Sequence, residues 1–312
     1  MGDMITTTEQ RVPLAKRIRG HIELADPVTW ISPAMICMCG AIASSVQAGG
    51  FDASNGRHWG LALLGALMIG PLGTGFSQSI NDYYDREIDA INDPSRPIPA
   101  GRVSLAGARL NWLFLGASSF LVSLLFGRPL ITALAVFGII LSVIYSVPPI
   151  KLKKHYWLGP PAVGVGYVSI SWMAGHIIFA PLTWQSAIVA CVNGGLTAGL
   201  LLLNDIKSVE GDRQHGLQSL AVAIGVHKTL IVAYLVINGF EALLMVLAIV
   251  WWGSYWVAAF ILFAIMAPIY SQVKLYREPN HKNFMRYLIA SNPFVAIIQL
   301  VSAFLVGGYF GR

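Results

Sequence analysis

The sequence predicts an all-α, polytopic membrane protein of nine transmembrane helices with its N-terminus in the cytoplasm, and three observations carry that reading. Charged residues are 12% of the 312-residue chain against 55% hydrophobic, about half the charge of a soluble protein, and the mean hydropathy is +0.64. Too little polar surface remains to cover a water-soluble body, which excludes a soluble enzyme, a nucleic-acid-binding domain and a disordered chain. Apolar runs near the ~20 residues that cross a bilayer recur nine times along the chain. All but three of the 21 basic residues, the exceptions being Arg57, Arg128 and Arg312, then fall on one side of the membrane. By the positive-inside rule that side is cytoplasmic, and an odd number of spans puts Arg312 on the other.

Taken in order, residues 1–27 form a cytoplasmic segment in which Asp3 and Glu9 precede Arg11, Lys16, Arg17 and Arg19. They lack an apolar run ending in a small-residue cleavage site, so no signal or transit peptide is expected, which points to a bacterial inner membrane. The spans are expected at about 28–48, 59–80, 105–126, 130–147, 159–180, 184–203, 229–252, 254–272 and 286–309, all within one domain over 1–312. Spans 3 and 4 meet at Gly127-Arg128-Pro129 and spans 5 and 6 at Ala180-Pro181-Leu182, while Trp251, Trp252, Tyr255 and Trp256 suit an interfacial aromatic belt. Cys37, Cys39 and Cys191 lie in apolar stretches without metal-site spacing and read as small core residues.

The acidic residues are as uneven as the basic ones. Seven of fifteen fall in two windows, Asn81 to Asp89 (NDYYDREID) and Asn204 to Asp212 (NDIKSVEGD), at the cytoplasmic ends of spans 2 and 6. Asn81 aligns with Asn204, Asp82 with Asp205, Glu87 with Glu210 and Asp89 with Asp212, with Ser208 opposite Asp85. This is a distant internal repeat, with cytoplasmic cap loops expected at about 81–104 and 204–228.

If each window continues its span as a helix at about 100° per residue, Asn81, Asp85 and Asp89 form one stripe, and Asp82 and Asp89 lie within about 20° of each other, as do Asp205 and Asp212. Carboxylates crowded in this way raise one another's pKa unless a cation holds them ionised. Hard oxygen donors suit Mg²⁺, which takes one or two carboxylates and completes its octahedron with water and substrate phosphates. The pattern therefore predicts a metal–diphosphate site with ligands among Asn81, Asp82, Asp85, Asp89, Asn204, Asp205 and Asp212. Solvated helix ends are the plainer alternative, and a transporter is the rival from another class, although transporter sites tend to the bilayer midplane. Phosphate oxygens could be clamped by Arg96, by Lys151 and Lys153 after Tyr145-Ser146-Val147-Pro148-Pro149, by Tyr145 itself, and by Lys207 and Arg213. The plainer reading of each base is a topology charge or a lipid-headgroup contact. Glu241, mid-span 7, is either functional or protonated and hydrogen-bonded.

These residues resemble the UbiA-type family of intramembrane prenyltransferases, whose first motif reads Asn-Asp-x-x-Asp-x-x-x-Asp. The stretches from Asn81 to Gly101, Tyr145 to Lys153 and Asn204 to Leu220, with Trp172-Met173-Ala174-Gly175-His176, are similar to its chlorophyll and bacteriochlorophyll synthase branch. The resemblance implies nine helices around a central cavity with a cytoplasmic cap. It implies esterification of a chlorophyllide or bacteriochlorophyllide propionate with a geranylgeranyl or phytyl group from its diphosphate, with two Mg²⁺ bridging that diphosphate. Asn81, Asp85, Asp89, Asp205 and Asp212 would carry catalysis, and Trp172 and His176 are candidates for touching the acceptor, although a packed histidine is the simpler reading of His176. Prenyl transfer to an aromatic quinone precursor is the alternative, and a pigment-binding scaffold without catalysis is a third. Ser208 departs from the family's second motif, which leaves the second metal's ligands open.

Overall fold

A computed structural model describes residues 13–214 and 219–310. A bilayer core offers the main chain no water, so each apolar run closes its own hydrogen bonds as a helix. Helix α1 (Leu14–Leu24) leads into α2 (Pro27–Ala43) across a 44° bend. Helix α3 (Gly56–Leu67) passes through a π-helical segment, Met68–Thr74, into α4 (Gly75–Asn92). Next come α5 (Leu105–Leu125) and α6 (Pro129–Ser146), then α7 (Gly159–Val163), a second π-helical segment at Gly164–Ser169, and α8 (Ile170–Phe179). The chain continues through α9 (Trp184–Gln214), α10 (Leu220–Ile224), α11 (Val226–Trp252), α12 (Tyr255–Met266), α13 (Ile269–Arg277) and α14 (His281–Val306). Among the described residues eight helical runs are long and apolar enough to cross a membrane, and the bent α1–α2 pair supplies a ninth.

Local chemistry sets the ends of these helices. Ser104 Oγ caps α5 by accepting from the Gly107 amide at 3.0 Å. Gly127, at φ +62°, turns the chain so that Pro129 can open α6. Pro268, which has no amide hydrogen, separates α12 from α13. Helices α2 and α8 meet through glycine, for a Cβ on Gly40 would overlap the Trp172 carbonyl and one on Gly175 would overlap that of Cys37. Small residues let membrane helices approach backbone to backbone in this way.

Two expectations change. The runs expected to end near 80 and 203 continue as helix to Asn92 and Gln214, so the cap segments at 81–104 and 204–228 begin as extensions of the spans. Cys37 and Cys39 are buried as expected, but Cys191 is exposed on α9. An apolar helix in a membrane can turn small residues toward lipid as readily as toward the core, so hydropathy alone does not assign the face. Arg11 and Arg312 lie outside the described residues.

Candidate active site

A polar stripe runs down the inner face of the second span. Thr74, Gln78, Asn81 and Asp85, spaced by four, three and four residues, stack on one helix face and line a cavity of about 450 Å³. Its opposite wall is α6, with Leu134, Gly138 and Tyr145, and the second π-helical segment, with Gly166 and Tyr167. From α9 it takes Leu201, three residues before the second acidic window. Both π-helical segments border this space, and such insertions are frequent at functional sites. At about 1.5 Å per residue the helix from Gly56 reaches Asn81 after roughly 37 Å, past a hydrocarbon core of about 30 Å. The cavity thus has an apolar floor within the bilayer, at Met68, Ile69 and Leu134, and a charged mouth beyond it.

At the mouth the expected acidic residues divide into two pairs, of which Asn81 and Asp85, with Lys153, line the cavity and Asp82 and Asp89 lie beside it without lining it. Asn81 Oδ1 accepts from Lys153 Nζ at 2.6 Å, and the same ammonium pairs with Asp85, whose other oxygen lies 3.1 Å from Lys151 Nζ. Lys151 adopts a left-handed backbone, φ 41°, in the turn after α6 that brings both lysines back over α4. On the other side Arg96 Nη1 donates to Asp82 Oδ1 at 2.5 Å and lies 3.5 Å from Asp89 Oδ2. Residues 82 and 89 therefore share a cation, as their seven-residue spacing predicts. Burial pushes the Lys153 ammonium below the ordinary lysine range, and the Asp85 charge opposes that shift. Burial also works against the Arg96 guanidinium, but the Asp82 and Asp89 charges outweigh it and raise its pKa.

The donor set fits a divalent cation. Asn81 and Asp85 already converge on one positive charge, the Lys153 ammonium, and Asp89 Oδ2 is buried without a hydrogen-bond partner. Among the described residues no three Asp, Glu, His or Cys side chains form a ready cluster. Mg²⁺ does not require one, because one or two carboxylates with waters and phosphates complete its shell. In the second window the helix continues through Asn204, Asp205, Lys207, Ser208, Glu210, Asp212 and Arg213, but their side chains lie outside the described residues.

Other expected residues separate. Tyr145 lines the cavity, whereas Trp172 and His176 do not. Trp172 Nε1 donates to Ser186 Oγ at 2.9 Å, Ser186 Oγ meets His176 Nδ1 at 2.9 Å, and His176 Nε2 meets the Gln47 amide at 2.6 Å. The structure thus packs the two acceptor candidates into a buried network away from the cavity. Glu241 is likewise buried, on α11, and does not line the cavity. Thr74, Ser77, Gln78 and Tyr167 lie outside the sequence motifs, yet all four line the cavity and Gln78 Nε2 donates to Tyr167 Oη at 3.0 Å. The available signal was a polar stripe continuing from Asn81 back into an apolar run.

Residues 34–309 match the UbiA prenyltransferase family. The chain belongs to that family. As a UbiA-family protein it is a prenyltransferase and a multi-pass membrane protein. It is 37% identical over 266 residues to the bacteriochlorophyll synthase 34 kDa chain of Chloroflexus aurantiacus, covering 83% of this chain and 81% of that one. It is 35% identical over 299 residues to the chloroplastic chlorophyll synthase of Avena sativa, covering 91% and 75%. In fold it is similar to the structure of a UbiA homolog from Archaeoglobus fulgidus bound to GPP and Mg²⁺, with a TM-score of 0.60 at 17% identity over 93% of this chain and 99% of that one. A digeranylgeranylglyceryl phosphate synthase structure superimposes with a TM-score of 0.69 at 22% identity and the same coverage.

Proposed function

We propose that this UbiA-family chain is a chlorophyll or bacteriochlorophyll synthase, which transfers a geranylgeranyl or phytyl group from its diphosphate to the propionate carboxylate of a chlorophyllide or bacteriochlorophyllide. The observation that carries the proposal is a cavity with an apolar floor and a mouth where Asn81, Asp85 and Lys153 meet. An amphiphile with a greasy tail and a polyanionic head fits that gradient. The relatives named bacteriochlorophyll and chlorophyll synthase support the choice of acceptor.

Asn81, Asp82, Asp85 and Asp89, with Asn204, Asp205 and Asp212 of the second window, are the residues that would hold Mg²⁺, two ions for one diphosphate. When bound, Mg²⁺ supplies Lewis-acid neutralisation of the leaving diphosphate, worth several kcal/mol. Lys151, Lys153 and Arg96, which balance the carboxylates here, would bind diphosphate oxygens once that charge is shared, joined by Lys207 and Arg213. Tyr145 and the Gln78–Tyr167 pair line the path of the tail. The acceptor carboxylate needs no general base, so its oxygen forms the ester bond as the prenyl C–O bond to diphosphate breaks. What the cavity contributes is proximity and the exclusion of water. The mouth is taken to face the cytoplasm of a bacterial inner membrane, on the side of the clustered bases.

Membranes holding the protein, incubated with geranylgeranyl diphosphate, Mg²⁺ and either chlorophyllide, bacteriochlorophyllide or hydroxybenzoate, test the assignment. An esterified tetrapyrrole is expected, and product from hydroxybenzoate alone would overturn it in favour of a quinone pathway.

A further inference from the structure

Helix α1 presents an apolar face on its outer side, where a helix resting on a water-exposed protein surface would be polar. Gly20 and Leu24 are its buried residues, and a Cβ on Gly20 would come within 3.0 Å of Val103, which identifies the packed face. Leu14, Ile18 and Ile22 succeed one another every four residues roughly 150° away from that face. They are 70%, 53% and 51% exposed. Arg19 flanks this stripe on one side, and Arg17 and His21 flank it on the other, with Lys16 beyond Arg19. The flanking Arg19 is paired with Glu23 at 2.7 Å, while Lys16 and Arg17 are exposed.

Helix α2 places this face at a definite depth. Its 17 residues span about 25 Å, short of a hydrocarbon core of about 30 Å. The two helices reach the length of a span only as a pair, which sets the 44° bend, and with it α1, near the hydrocarbon boundary. Apolar side chains flanked by bases at that depth fit a surface with acyl chains below and negative headgroups around it.

We propose that α1 is a docking surface for an anionic bilayer, inserting Leu14, Ile18 and Ile22 among the acyl chains while Arg17, about 100° round the helix from Ile18, binds headgroup phosphates and Lys16 faces water. The site adjoins the cavity's cap, because Glu23 of α1 pairs with Arg102, which also donates to the Ser95 carbonyl next to Arg96.

Full-length protein with Cys191→Ser, spin-labelled through Ile18→Cys or Lys16→Cys, can be placed in nanodiscs of phosphatidylcholine alone or mixed with phosphatidylglycerol. In mixed discs the label at 18 should be more accessible to oxygen than to a nickel chelate, about 5–10 Å into the interface, and the label at 16 the reverse. Removing phosphatidylglycerol, or adding Arg17→Gln to the Ile18→Cys protein, should make the label at 18 shallower. Nickel accessibility at 18 in both discs would overturn the docking, leaving a protein partner for this face. Equal immersion in both discs would overturn the anionic selectivity. The lipid comparison needs no charge variant, and the readout is independent of prenyl transfer, so failure here leaves the assigned reaction untouched.

Discussion

At the mouth of the cavity Lys153 holds Asn81 and Asp85 while Arg96 holds Asp82 and Asp89; in the buried network Trp172, Ser186, His176 and Gln47 hold one another. Both clusters belong to an apolar bundle, and the sequence offers site candidates in each, Trp172 and His176 alone in the second. They differ in charge and in access. The first carries ionisable pairs, of which Asn81, Asp85 and Lys153 line an open volume, and leaves Asp89 Oδ2 in an ion pair but without a hydrogen bond. The second joins indole, hydroxyl, imidazole and amide around a tryptophan with no exposed surface. Polar side chains in a membrane protein are thus of two kinds, those that close helices together and those that border an open volume. The empty space beside them distinguishes the two better than residue type does.

The sharpest test of that distinction is to remove charge at the mouth without changing volume. Asp85→Asn and Asp89→Asn should each cut turnover by about 10²–10³-fold, the range for losing one preorganised electrostatic partner. Each variant should still elute from size exclusion as a folded monodisperse protein. Wild-type rates in both would remove the mouth from the chemistry.

The second acidic window offers a comparison within the first. Ser208 stands where Asp85 would be, so Asp205 and Asp212, about 20° apart on a continuous helix, are expected to supply its carboxylates. Asp205→Asn and Asp212→Asn should each be severe and raise the Mg²⁺ concentration needed for half-maximal rate, with Ser208→Ala mild. On a continuous helix position 210 is rotated roughly 140° from position 205, and α9 runs through Gly211, so Glu210 is not expected to join them. A silent Asp205→Asn with crippling Ser208→Ala and Glu210→Gln would show that the helical register assumed for these ligands is wrong.

The spans and the first acidic window could be read from the sequence because hydropathy and one-sided charge are sums over many residues. The expected start at 184 coincides with Trp184, and that at 105 with Leu105. The i, i+7 relation of Asp82 and Asp89 also follows from helix geometry alone, and the structure gives both to Arg96. What escaped depends on which face a residue presents. Cys191 and Trp172 sit in equally apolar sequence, yet one is exposed and the other sealed, whereas packing is already the simpler sequence reading of His176. The π-helical segments at Met68–Thr74 and Gly164–Ser169 escaped too, since a hydropathy window does not register a change of hydrogen-bond spacing. Only Gly70, Pro71 and Gly73 in one, and Gly164 and Gly166 in the other, hinted at them.

The buried network should respond in the opposite sense to the mouth. Ser186→Ala removes the hydroxyl shared by Trp172 Nε1 and His176 Nδ1. Leaving a buried polar group unpaired costs about 1–3 kcal/mol, so the thermal unfolding midpoint should fall while turnover stays near wild type. A large loss of turnover at unchanged stability would place this network in the reaction after all.

The smallest effect is expected where the cap meets α1, and it separates positioning from packing. Arg102 joins Glu23 to the Ser95 carbonyl at 2.6 Å, and Ser95 precedes the Arg96 that holds Asp82 and Asp89. With side-chain exposures of 25% and 32%, the Arg102–Glu23 pair is worth about 0–1 kcal/mol. Arg102→Gln should then raise the KM for the prenyl diphosphate by no more than about fivefold and leave kcat unchanged. Arg102→Lys keeps the charge opposite Glu23 but not the second donor to Ser95, so it should fall between Gln and wild type. A purely structural Arg102 would lower the unfolding midpoint in both variants without moving KM. That result would detach the cap loop from the mouth, leaving Arg96 to be positioned by its own carboxylates.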